Sequence, residues 1–121
     1  MDSVGRTHKD SFKDAFAGLV WVLKTQPNFR IHLILSLLAI FLSWFFQITF
    51  VEFAIIIFTI VLGLTAEMIN TSIEAMTDLI TTEYRDSAKI AKDVAAGMML
   101  TTAIGAVSVA LVIFIPHILF P

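Results

Sequence analysis

VAAGMMLTTAIGAVSVALVIFI, Val94 to Ile115, runs for 22 residues without a charged side chain. A helix rises ~1.5 Å per residue, so ~20 residues cross the ~30 Å hydrocarbon layer of a bilayer. This run meets that length alone. Upstream, Ile31 to Phe46 forms a second apolar run, extended by Ile48, Phe50 and Val51. Phe53 to Ala66 forms a third of only 14 residues. It spans only if its helix continues into the polar segment Glu67–Ile80, which holds no Pro or Gly to stop it. The reading is three transmembrane helices over about 31–48, 51–80 and 88–115, in a single domain 1–121.

Composition agrees. Of the 121 residues, 58% are hydrophobic and 15% charged; a soluble domain sits nearer ~45–50% and ~25%. A net charge of −2 provides no bulk positive field for nucleic acid. With no cysteine, a disulfide scaffold, a thiol nucleophile and a zinc–thiolate site are excluded.

All eight Lys/Arg fall in two places: Arg6, Lys9, Lys13, Lys24 and Arg30 before the first span, and Arg85, Lys89 and Lys92 between the second and third. The positive-inside rule then places the N-terminus and the 81–92 loop in the cytoplasm, with the turn near Gln47 and the C-terminus outside. No hydrophobic core of a cleavable signal peptide precedes the first run. Residues 8–25 have the pattern of an amphipathic surface helix. Phe12, Phe16, Leu19, Val20 and Leu23 recur at helical spacing, Lys9, Asp10, Lys13 and Asp14 fall elsewhere on the wheel, and Trp21 suits the headgroup level. Pro27 ends this helix before the first span.

Chemistry concentrates in Glu67-Met68-Ile69-Asn70-Thr71-Ser72-Ile73-Glu74-Ala75-Met76-Thr77-Asp78. At ~100° per residue, Glu67, Asn70, Glu74 and Asp78 fall within ~80° of one another. Three acids and an amide thus share one narrow stripe. Counting ~20 residues inward from Val51 puts the hydrocarbon edge near Asn70. Glu67 then lies just inside the membrane, and Glu74 and Asp78 lie at or beyond its surface. Like charges on one face need a positive complement. One reading is a solvated helix end paired with Lys89 and Lys92. The other is a carboxylate site for Mg²⁺ and a phosphorylated ligand, since Mg²⁺ is often held by one or two carboxylates plus phosphates.

The start of the third span, Ser87-Ala88-Lys89-Ile90-Ala91-Lys92-Asp93, brings lysines and a helix N-terminus to the same depth. Small Ala91, Ala95, Ala96 and Gly97 permit close approach of another helix. No Gly-rich phosphate loop exists, and His8, His32 and His117 are too far apart in sequence to suggest a metal or triad. Glu52 reads as an interfacial charge on the outer side.

The string Glu67-x-x-Asn70-Thr71-Ser72-Ile73-Glu74-x-x-x-Asp78, followed by Glu83-Tyr84 and Ala91-Lys92-Asp93-x-Ala95-Ala96-Gly97, resembles the prokaryotic diacylglycerol kinase family, which includes the undecaprenol kinases. The resemblance covers the whole chain. It implies a homotrimeric bundle that transfers the γ-phosphate of MgATP to a lipid hydroxyl at the cytoplasmic surface of the bacterial inner membrane. By motif position, Glu67 is implied as general base and Glu74 as Mg²⁺ ligand. Asn70, Asp78, Glu83, Tyr84, Lys92 and Asp93 are implied around the nucleotide, with Lys92 on a phosphate. Partial desolvation suits Glu67 to its role.

Two positions depart from the family pattern. Gln26 stands where many members carry a second metal-ligating Glu; it keeps one neutral oxygen and loses a charge, for which Asp10 or Asp14 could compensate. Arg85 stands where a His is common. Asn28-Phe29-Arg30-Ile31-His32 and Ile113-Phe114-Ile115-Pro116 lean toward the undecaprenol-phosphorylating members. The resemblance leaves a second possibility, a degenerate member acting as a lipid-binding or structural subunit. A channel subunit fits poorly, because the first and third spans carry no ionisable residue through the midplane.

Overall fold

The computed structural model describes residues 5–121, so the first four residues of the expected 1–121 domain lie outside it. Four helices and no strand are found among the described residues: α1 (His8–Thr25), α2 (Pro27–Phe45), α3 (Phe50–Ile80) and α4 (Asp86–Leu119). The fold is all-α, and α2, α3 and α4 are each long and apolar enough to cross a membrane.

Each helix starts for a local reason. Thr7 caps α1 in a capping box with Asp10, whose carboxylate accepts from the Thr7 N–H and hydroxyl. Those bonds, the backbone one first, hold the Asp10 carboxyl below its ordinary value. Pro27 occupies the first turn of α2, where its missing N–H costs nothing, and it forces Gln26 into extended backbone. Thr49 and Glu52 repeat the capping box at α3. α3 then runs unbroken through the polar stripe to Ile80.

The boundaries of two helices differ from the expected spans. α2 begins at Pro27 instead of 31, because Asn28 and Arg30 are polar but still helical. It ends at Phe45 instead of 48 in a Schellman turn: Ile48 N–H bonds the Ser43 carbonyl at 3.2 Å, and Gln47 N–H the Trp44 carbonyl at 3.2 Å. Gln47 sits there at φ +50°, a left-handed conformation that glycine adopts without a Cβ penalty. Gln47→Gly is therefore expected to stabilise the protein by about 0.5–1 kcal/mol, seen as a raised unfolding midpoint in detergent. α4 continues past Ile115 to Leu119. Pro116 removes one helical N–H but leaves the following turn intact, and Phe120 N–H closes on the Pro116 carbonyl at 2.8 Å.

α3 and α4 form the main helix pair, α2 packs on α3, and α1 meets α2 more lightly. The tight apolar cluster lies at the Gln47 end, where Ile56, Ile113 and Phe114 are buried against Leu42, Phe46 and Ile60. Most other large apolar side chains are exposed, Trp44, Phe58 and Val112 among them. Lipid is the solvent such surfaces require. Hydroxyls along the spans return their hydrogen bonds to the carbonyl a turn back, as Ser43 to Ala39 at 2.7 Å and Thr59 to Ile55 at 2.7 Å. That satisfies them without water.

At the Gln47 end the structure adds partners to Glu52, read from the sequence as an interfacial charge. Besides capping α3, Glu52 pairs with His117 of α4 at 3.2 Å.

Candidate functional site

The polar stripe of α3 occupies the opposite end of the bundle and is set by helical phase. Glu67 is 3% exposed, the most buried ionisable side chain described. Thr71 is buried beside it and donates to the Glu67 carbonyl at 2.9 Å. A turn further, Asn70 Nδ2 donates to Glu74 Oε1 at 3.4 Å. Asp78 lies near the end of the helix, where Lys92 Nζ reaches it from α4 at 2.7 Å. The stripe thus runs from a buried acid to solvated acids, with a cation from the next helix at its outer part.

Around Asp78 lies an open recess of about 370 Å³ lined by Glu83, Tyr84, Arg85, Lys89, Lys92 and Asp93, among others. The 81–85 connection walls it. Thr81 accepts from the Glu83 N–H at 3.1 Å, and Arg85 pairs with Glu83 at 3.2 Å. Tyr84 is 75% exposed. Lys89 pairs with Asp93 on its own helix, not with the stripe. Exposed pairs of these kinds contribute little stability, roughly 0.2–1 kcal/mol each; what they do is hold charged groups at the rim.

Five of the residues expected around a nucleotide (Asp78, Glu83, Tyr84, Lys92 and Asp93) therefore line one recess, and Asn70 sits beside Glu74. Gln26 is not brought into hydrogen-bond contact with Glu74 among the described residues. It lies at the α1–α2 junction and donates to the Thr25 hydroxyl at 3.3 Å. Neither acid that could compensate for it is free: Asp10 caps α1, and Asp14 pairs with Arg6.

Whether the stripe suits a divalent cation turns on Asn70. Its Oδ1 is buried and has no hydrogen-bond partner, and it belongs to the side chain bonded to Glu74. A buried carbonyl oxygen left unpaired next to a carboxylate suits a hard, oxygen-seeking ion. No three His, Cys, Asp or Glu side chains converge as a metal cage among the described residues. One chain thus offers a partial oxygen shell of the sort Mg²⁺ completes with phosphate and water.

One close neighbour of Glu67 escapes the sequence. His32 Nε2 of α2 stands 4.0 Å from Glu67 Oε2. No motif links them, because contact between helices is not encoded in spacing along either one.

Fold and site together define a small multi-pass membrane protein with an acidic and amide-bearing stripe leading from the bilayer to a charged recess. The family model for prokaryotic diacylglycerol kinase matches residues 13–114, and the chain belongs to that family. It is 36% identical over 110 residues to a diacylglycerol kinase of Synechocystis sp., covering 90% of this chain and 63% of that one. It is 32% identical over 108 residues to an undecaprenol kinase of Bacillus subtilis, covering 89% and 88%. A diacylglycerol kinase of Helicobacter pylori is 35% identical over 92 residues, 76% of this chain and 66% of that one. The chain spans a little under two thirds of the cyanobacterial and Helicobacter relatives.

Proposed function

We propose that this protein is a lipid kinase that moves the γ-phosphate of ATP, with Mg²⁺, to the hydroxyl of a membrane lipid alcohol. The observation that carries this is the stripe itself: a buried carboxylate, Glu67, continuous on one helix face with an oxygen-rich pair and a lysine-bearing recess. A lipid hydroxyl reaches Glu67 from the bilayer side, and a nucleotide reaches Lys92 from the solvent side.

In the transfer, Glu67 takes the hydroxyl proton as the lipid oxygen attacks the γ-phosphorus and the bond from that phosphorus to the ADP oxygen breaks. Lys92, released from Asp78, offsets charge on the phosphates. Glu74 and Asn70 would hold Mg²⁺, which supplies charge neutralisation to the phosphates when bound. Asp78, Glu83, Tyr84 and Asp93 border the nucleotide. The active form is a homotrimer in the bacterial inner membrane, with α1 and the recess on the cytoplasmic side. Support for that orientation comes from the placement of the Lys and Arg residues.

The acceptor is diacylglycerol or undecaprenol, the two substrates named by the relatives. Transfer from γ-labelled ATP in mixed micelles, each lipid offered separately, with and without EDTA, tests the proposal. Labelled product with one lipid, lost with EDTA, is the expected result. The second reading, a non-catalytic lipid-binding subunit, is favoured by Gln26 and by the engagement of Asp10 and Asp14 elsewhere. Folded protein that binds MgATP and phosphorylates neither lipid supports it. Turnover gained by Gln26→Glu would then identify the missing charge as the cause.

A further inference from the structure

No step of the transfer described above uses His32. Yet its ring is seated against the face of α3 that carries Glu67. Nε2 faces the Glu67 carboxylate at 4.0 Å. Nδ1 lies over Gly63, one turn earlier on α3, where an added Cβ would stand 3.7 Å away. Gly63 and Glu67 are four residues apart and share a face, so the imidazole lies along that face. The Glu67 side chain is 4% exposed and the His32 side chain 28% exposed. No hydrogen bond to the Glu67 carboxylate is formed among the described residues, and the one ion-pair partner within 4.0 Å of it there is His32. A buried carboxylate without a partner is costly, and the imidazole is the neighbour able to relieve that cost. At 4.0 Å the two groups face each other just beyond hydrogen-bond range.

We propose that His32 is a positioning residue for Glu67: its Nε2 holds the buried carboxylate in one orientation, aimed at the incoming lipid hydroxyl. This rests on the lipid-kinase reading of Glu67 as the base. The role follows from placement on two different helices. α2 packs on α3 here, so the ring orients the carboxylate without entering the nucleotide recess.

The test compares wild type, His32→Ala and His32→Gln in the micelle assay. His32→Ala is expected to lower kcat about tenfold, since small misplacement of a reacting group is costly, with KM for ATP unchanged. His32→Gln, which keeps a hydrogen-bonding end, is expected to retain more activity. Added imidazole is expected to restore part of the loss in His32→Ala but none in Glu67→Gln. A second measurement does not depend on turnover: the ring ¹⁵N shifts of His32 are expected to change in Glu67→Gln. Wild-type kcat in His32→Ala, or His32 ring shifts unmoved by Glu67→Gln, overturns the proposal. Absence of turnover in the wild type overturns the kinase reading instead, and the ¹⁵N shifts still decide whether the pair exists.

Discussion

Glu67→Gln is expected to lower kcat by ~10²–10⁴-fold, the range that a positioned general base contributes, while the protein stays folded. The substitution keeps the side-chain volume and removes both the negative charge and the ability to accept a proton. Glu67 is buried at 3% exposure, so no water-borne base is at hand to replace it. Removing a buried charge relieves the fold, so the unfolding midpoint in detergent is expected to hold or rise. The loss persists at any Mg²⁺ or ATP concentration, because the substitution acts on the proton and not on binding. Turnover at the wild-type rate would remove Glu67 from the role of base.

Glu74→Gln is the second large effect, and its signature differs. The amide keeps one oxygen and loses the charge beside the unpaired Asn70 Oδ1. At fixed low Mg²⁺, turnover is expected to fall by at least ~10–100-fold, the cost of losing even an outer-shell partner of a metal. Raising Mg²⁺ is expected to recover part of it, and the Mg²⁺ concentration giving half-maximal rate moves up. A loss that no Mg²⁺ concentration relieves would place Glu74 outside the metal shell. The two variants thus separate proton abstraction from metal binding along a single helix face.

Much of this was legible in the chain. The stripe's phase, Glu67 to Asp78 on one side of α3, follows from helical pitch, and the absence of Pro and Gly let the helix run to Ile80 as expected. The depth of Lys92 relative to the stripe was legible as well, and the i, i+4 spacing of Lys89 and Asp93 already put that pair on one face; the choice of Asp78 by Lys92 was not legible. Gln26 shows the same limit. Its place in the motif was visible; its hydrogen bond to Thr25, and the commitment of Asp10 and Asp14 elsewhere, were not.

The sequence by itself determined that this chain is helical, that three of its helices suit a bilayer, and which residues share a face. Those properties are local: backbone groups must be satisfied within each segment in lipid, and pitch sets which side chains align. Only the tertiary structure decided that His32 meets Glu67, that Glu52 meets His117, and that Lys92 reaches Asp78. Such pairs depend on how one helix is rotated and shifted against the next. That is set by packing across α2, α3 and α4, which no spacing within a single helix records.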